Sequence, residues 1–543
     1  MKSHHPSDGA AAPHSSEAAP SHSRAARFTS LFISLIVLGG SLALWVYMSL
    51  RTPFNDDEWI HFQPIACHLF PNGMLHRQPF REWCGAMDLF VFGARLPIRA
   101  YSYIGVSQAL VFLPFWEIVQ SPMALRICTG TLWLLNSLLL ARLLVAPWAL
   151  VMCVAMLSTP LFSQHLIDTG PFAFQLTMLL LAITGLLNAL ASESHARLVA
   201  FSVIATIPAF LAFEQKATVV FAIPAAVLLV LSGYVRREIG RTWSWKTVLI
   251  RCYSVGIFHL GVLIPLLWWY INLKMINGDP YWGQLLANND SYSLSRLDDW
   301  KYHARELFET FVIYPSTFFH RTFGVTRIEL PVFVTYMEII FGVVALLLVA
   351  LRKWRYLGLL ILSLVLTAVS FALVSRSVRS WAGHHMVYSL MIPFLGLTVS
   401  LAALLPRLWW CVVPIVSALL YVQVPTFVQL TSGKALDHSD GAKEEILAIV
   451  NEPSFAASHV VVHLSWGAFF QDALFGPPSQ VVVWSDFPKA AEIDALAAET
   501  QRKVAYIRLQ SDPRSASTPQ ERGWKLLAVS SSGGWELWER AEG

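Results

Sequence analysis

The run FTSLFISLIVLGGSLALWVYMSL, Phe28 to Leu50, decides how the rest of the chain must be read. Its roughly 23 uncharged residues are enough to cross a hydrocarbon core about 30 Å thick and too many for the apolar core of a signal peptide. It reads as a retained anchor. The whole chain agrees: of 543 residues, 55% are hydrophobic and only 14% charged, with 21 Trp and 33 Phe. That composition excludes a soluble globule of this length. Residues 1–27, rich in Ser, Ala, Pro and His and without hydrophobic periodicity, read as a disordered cytoplasmic tail, with Arg24 and Arg27 favouring the inside.

Working outward, the short basic loops set orientation. Arg236, Arg237, Arg241 and Lys246 form one, and Arg352, Lys353 and Arg355 another; both belong in the cytoplasm by the positive-inside bias. Spans then fall near 28–50, 123–145, 146–164, 171–190, 198–213, 217–234, 248–271, 331–351, 357–375, 385–405 and 408–429. The expected fold class is a polytopic α-helical membrane protein of about 11 transmembrane helices, with interfacial helices in the first external loop and a small C-terminal external α/β domain. Tyr101 to Ile118 is apolar enough to span, but spanning would invert every later loop. It reads as an interfacial or re-entrant helix, since Tyr101, Tyr103 and Trp116 suit the headgroup belt and Glu117 suits no bilayer centre.

The external segments are then 51–121 and 272–330, within a membrane domain over 28–430. Residues 431–543 are a different polymer, in which short β-type runs at 459–464, 480–484, 504–509 and 524–529 alternate with an alanine-rich helical stretch at 490–501. Ser531-Ser532-Gly533-Gly534 suits a hairpin turn. No nucleotide-binding fingerprint is present. Cys67 and Cys84 share the first external loop, where an oxidising compartment would permit a disulfide; two reduced thiols remain the alternative.

Four groups carry chemistry. Asn55-Asp56-Asp57-Glu58-Trp59 sits just outside the first span, and carboxylates beside a lipid surface are costly unless they are used. They either cap an interfacial helix or supply a base. Asp168, before Thr169-Gly170-Pro171, faces the same side, as an N-cap or as a second functional acid. Lys216 lies on an external turn, an exception to the positive-inside bias that wants an anionic partner: Glu214 or a lipid phosphate. Arg376, Arg379, His384 and His385, also external, suit phosphate through charge-assisted hydrogen bonds. Adjacent histidines are a poor metal pair, and no metal site is assigned.

An external Asp-Glu pair after the first span (Asp57-Glu58), an external Asp after the third (Asp168), and a Lys at a short external turn (Lys216) resemble the GT-C class of membrane glycosyltransferases. Within it, the pattern is similar to the protein O-mannosyltransferase and aminoarabinose transferase-like superfamily, including the bacterial family 39-like enzymes. The resemblance implies a glycosyltransferase in the plasma (inner) membrane, multi-pass, with its site facing the periplasm or exterior. It implies a polyprenyl-phosphate-linked sugar donor and a glycan, lipid or protein acceptor, with no nucleic acid. By the same resemblance Asp57 is the base, Glu58 supports it, Asp168 orients the acceptor or holds a divalent cation, and Lys216 contacts the carrier phosphate. His384 and His385 depart from the Arg-Tyr pair common in relatives, and Asp56 competes with Asp57 for the base. The competing reading is a membrane transporter or lipid-linked-sugar flippase, which predicts ionisable or broken-helix positions near the bilayer midplane.

Overall fold

A computed structural model describes most of residues 32–49, then 89–91, 94–96, 105, 107–119, 123–144, 172–237, 244–276, 330–378, 387–408, 441–463, 481–483, 489–510 and most of 523–541. The expected spans at 146–164 and 408–429, and Cys67 and Cys84, lie outside the described residues, apart from position 408. The described residues between 32 and 49 are helical. A short hairpin, β1 (Leu89–Val91) with β2 (Ala94–Leu96), precedes α1 (Ser107–Val119) and α2 (Met123–Leu144). Then come α3 (Phe172–Ala191), α4 (His195–Ile204), α5 (Thr206–Gln215), a 3-10 turn (Ala217–Ala222), α6 (Ile223–Arg237) and α7 (Trp245–Ile276). The later helices are α8 (Leu330–Ala350), α9 (Trp354–Val378) and α10 (Val387–Leu408).

Met123–Leu140, Phe172–Ala191, His195–Gln215 and Trp245–Leu273 are each long and apolar enough to cross a membrane, and shorter apolar helices fill the positions expected of further spans. The chain is a polytopic α-helical membrane protein. Helix α3 packs between α2, α4 and α5; α6 bridges to α9 and α10, which pack on each other and on α8; α7 leans on α4 and α5. Much of α7 turns apolar side chains outward, including Leu249, Tyr253, Ile264 and Trp268, as a helix facing lipid does.

Two departures from uniform helix have identifiable causes. The expected span 198–213 breaks at Ala205 into α4 and α5 because Pro208 has no N–H for the Ile204 carbonyl four residues back; nearby, the Ser202 carbonyl accepts from the Thr206 hydroxyl at 3.3 Å and faces His259 Nδ1 of α7 at 3.2 Å. Helix α8 ends in a Schellman arrangement: Lys353 N–H donates to Leu348 O at 2.8 Å and Arg352 N–H to Val349 O at 2.9 Å, with Arg352 left-handed at φ 53°.

The relation of α1 to the bundle follows from three contacts. Trp133 meets Phe172 with ring centroids 5.4 Å apart, Asn136 Nδ2 donates to Ala173 O at 3.0 Å, and Thr177 donates to Asn136 Oδ1 at 2.7 Å. Rising numbers on α2 meet rising numbers on α3, so the two run parallel. The first part of α2 therefore extends beyond the start of α3, and α1, joined to it by residues 120–122 and packed against it, doubles back there rather than descending beside α3. The first helix meets the same region, with Arg126 Nη1 donating to Ser49 O at 2.6 Å and Trp45 lying against Gly130.

Among the described residues between 441 and 541, a five-stranded mixed sheet runs in the order β4 (Val481–Val483), β3 (His459–His463), β5 (Lys503–Leu509), β7 (Trp535–Arg540), β6 (Trp524–Val529). Pairings β3–β4 and β3–β5 are parallel, and β5–β7 and β7–β6 antiparallel. The period-2 alternation gives the sheet two apolar faces. Val460, Val462, Val504, Tyr506 and Trp538 pack under Ile493 and Leu496 of the helix Ala490–Thr500. Val461, Ala505, Ile507 and Leu537 face the other way, toward the side covered by Ile446 and Val450 of the helix Gly441–Val450. That helix is pinned to the β6–β7 turn by Glu445, which accepts from Ser531 N at 2.7 Å and Ser531 Oγ at 2.6 Å.

Candidate functional site

The stretch Phe213-Glu214-Gln215-Lys216-Ala217-Thr218 contains neither Gly nor Pro, and Glu, Gln, Lys and Ala are good helix formers. The helix nevertheless stops at Gln215. Lys216 is extended, at φ −163° and ψ 127°, before the chain resumes as a 3-10 turn. The last four carbonyls of any helix lack intrahelical donors, and here three of them are met from three distant segments. Ala212 O accepts from Gln175 Nε2 of α3 at 2.9 Å, Glu214 O from the Tyr270 hydroxyl of α7 at a long 3.4 Å, and Gln215 O from Gly105 N–H at 2.8 Å. Lys216 O accepts from the same Gln175 amide nitrogen at 2.6 Å. Near a bilayer each unmet carbonyl would cost several kcal/mol, so these donors hold the turn open.

The side chains of the turn are engaged as tightly. Glu214 accepts from Ser107 Oγ at 2.6 Å and Ser107 N at 3.3 Å, and Gln215 Oε1 accepts from Gln108 N at 2.9 Å. Two side chains from one turn thus cap the N-terminus of α1, which lies more than a hundred residues earlier, and the carboxylate sits where the helix dipole favours it. Gly105 is required by close approach: a methyl there would overlap the carboxylate and carbonyl of Glu214. The Glu214 carboxylate, one of the two partners expected for Lys216, is thereby also bonded to α1. Glu214, Gln215 and Lys216 are all buried.

Of the residues singled out in the sequence, Lys216 is placed in full and Arg376 falls in the last turn of α9. Asp57, Glu58, Asp168, Arg379, His384 and His385 lie outside the described residues. Among the described residues no group of three His, Cys, Asp or Glu side chains could hold a metal ion. Sequence reasoning missed Gln175, Gln108, Ser107 and Tyr270, the residues that fix the turn, and the fully buried Arg126. The available signal was a polar residue in an apolar run, as in Phe172-Ala173-Phe174-Gln175-Leu176.

No protein-family model matches the sequence, and no curated protein is significantly similar to it. The fold does have counterparts. ArnT from Cupriavidus metallidurans bound to undecaprenyl phosphate superposes with a TM-score of 0.53 at 12% identity, over 93% of this chain and 98% of that one. The chain carries the fold of this ArnT. The apo form of the same ArnT gives a TM-score of 0.48 at 11% identity, over 93% and 97% of the two chains. The Archaeoglobus fulgidus oligosaccharyltransferase, in complex with Zn and sulfate, gives 0.39 at 13% identity, over 93% and 73%. Near end-to-end coverage of the first ArnT structure means that the likeness in fold extends across both the membrane helices and the C-terminal sheet.

Proposed function

We propose that this chain is a glycosyltransferase of the plasma (inner) membrane. In this reading it moves a hexosyl or pentosyl group from a polyprenyl-phosphate donor to an acceptor hydroxyl on a glycan, lipid or protein at the external face. The observation that carries the proposal is the end-to-end likeness to an ArnT structure bound to undecaprenyl phosphate. It is supported by a buried lysine on a turn that the charge bias assigns to the external side.

Asp57 accepts the proton of the acceptor hydroxyl as that oxygen attacks the anomeric carbon, and the polyprenyl phosphate departs with the bonding pair. A phosphate leaves well and needs electrostatic help rather than a second carboxylic acid, which Lys216 supplies, with Arg376, Arg379, His384 and His385 as further phosphate donors. Glu58 supports Asp57, and Asp168 orients the acceptor or holds a divalent cation.

The test is transfer from radiolabelled polyprenyl-phosphate sugars to a membrane extract by the full chain in nanodiscs. Asp57→Asn is expected to lower transfer by roughly 10²-fold or more with folding intact. Unchanged transfer in both Asp57→Asn and Asp168→Asn would remove these residues from the chemistry, and no transfer from any carrier would favour a transporter or flippase.

A further inference from the structure

Beyond the residues assigned to the reaction, the geometry points to Gln175 as the positioning residue that sets Lys216 in its phosphate-binding conformation. The inference rests on the proposed role of Lys216. Gln175 is 1% exposed in the first turn of α3, and its one amide nitrogen reaches both Ala212 O and Lys216 O. The two hydrogens of the amide match two carbonyls, one inside the last turn of α5 and one just past its end. A helix continuing through Lys216 would direct the Lys216 carbonyl along its own axis toward the amide four residues on.

Nothing in the local sequence forbids that continuation, because residues 213–218 include no helix breaker. The extended conformation of Lys216 is therefore imposed from outside the segment. Gly105 and Tyr270 hold the carbonyls of Gln215 and Glu214, both upstream of the lysine. Among these three donors, Gln175 alone reaches the Lys216 carbonyl, which also accepts from Val219 N–H of the following 3-10 turn at 3.2 Å. Without it the turn can wind onward, and each residue added to a helix rotates the following side chain by about 100°. The ammonium group would then leave the direction that the extended backbone gives it. Gln175 touches no reacting atom in this scheme and acts through Lys216.

The experiment uses the full chain in nanodiscs, with undecaprenyl phosphate as the probe and neutral polyprenol as the headgroup-free control. Wild type, Gln175→Met, Lys216→Met and the double variant are compared for affinity and for thermal midpoint. Gln175→Met keeps the length and removes the donor, and it is expected to weaken undecaprenyl phosphate binding by about tenfold while leaving polyprenol binding unchanged. In the double variant the effect should not exceed that of Lys216→Met, because both act on one contact. Should Gln175→Met fail to fold, Gln175→Asn keeps a donor one methylene short and carries the same expectation.

Wild-type affinity in the folded glutamine variant alongside a weakened Lys216→Met would overturn the inference, as would additive losses. Wild-type affinity in Lys216→Met would instead sink the phosphate role of the lysine, a result that the single variants keep distinct.

Discussion

Glu536 is a buried carboxylate on a strand with apolar neighbours, and it shows how this chain handles charge. Burial pushes its carboxyl up, but Gln510 Nε2 at 2.7 Å, Trp538 Nε1 at 2.9 Å and Arg508 Nη1 at 3.1 Å outweigh that and hold it below the ordinary glutamate value of 4.5. Glu539 behaves alike: burial opposes ionisation, and His459 Nε2 at 2.8 Å together with Lys503 at 3.5 Å restores it. A carboxyl with a depressed folded value stabilises the fold above its unfolded value, and that contribution disappears as pH falls through the folded value. The sheet should accordingly hold its stability from neutrality down to about pH 4.5 and lose it below. Amide hydrogen exchange of the strands β5 and β7 in the full chain would follow this, and Glu536→Gln should flatten the acid limb. An unchanged acid limb in that variant would show that Glu536 is not the titrating group.

The elements differ in how plainly the sequence announces them. Helices α2, α3, α6, α8, α9 and α10 fall within a few residues of the apolar runs expected from the sequence, because in lipid a long uncharged run has little choice but helix. Strands β3 to β6 were also legible, from dense β-branched residues and turn signals. Strand β7 was not, since Trp535-Glu536-Leu537-Trp538-Glu539-Arg540 looks like a polar surface segment until Arg508 and Gln510 are seen beside Glu536. The stop at Gln215 was legible as the turn expected between the spans 198–213 and 217–234, whereas the break at Ala205 was missed although Pro208, which has no N–H to give the Ile204 carbonyl, marks it in the sequence. The helix Ala490–Thr500 ends on a further exception, Gln501, which is left-handed at φ 53° where glycine would be unstrained. Gln501→Gly should therefore stabilise the sheet by about 1 kcal/mol, read as a higher midpoint for loss of amide exchange protection in its strands on heating. A lower midpoint would mean that the glutamine side chain makes a compensating contact.

At the scale of the whole molecule, the helix order gives each connection a side. The turns 192–194 and 351–353, the end of α6 and the start of α7 lie on one side of the bundle, and the Lys216 turn, the start of α3 and the end of α7 lie together on the other. Cysteines introduced at Glu193 and Lys353 should react with an impermeant thiol reagent from the cytoplasmic side only. One introduced at Asn272, a partly exposed position near the end of α7, should react from the opposite side only. Labelling of Glu193 and Asn272 variants from the same side would break the topology. The candidate site was half legible at this scale. Lys216 declared itself as a cation on the wrong side of the charge bias, whereas the groups that shape its backbone belong to segments whose proximity no spacing reveals.

The end of α5 also has a history in the making of the chain. Its donors arrive from Gly105, Gln175 and Tyr270, and the last of these lies 56 residues beyond the carbonyl it meets. During synthesis Lys216 enters the membrane before α7 exists, with part of its support not yet made. The turn can reach its final form only after the tyrosine has emerged and α7 has docked against α5. A chain halted short of α7 would already hold the lysine and would still lack the finished turn, so this site is among the late products of assembly.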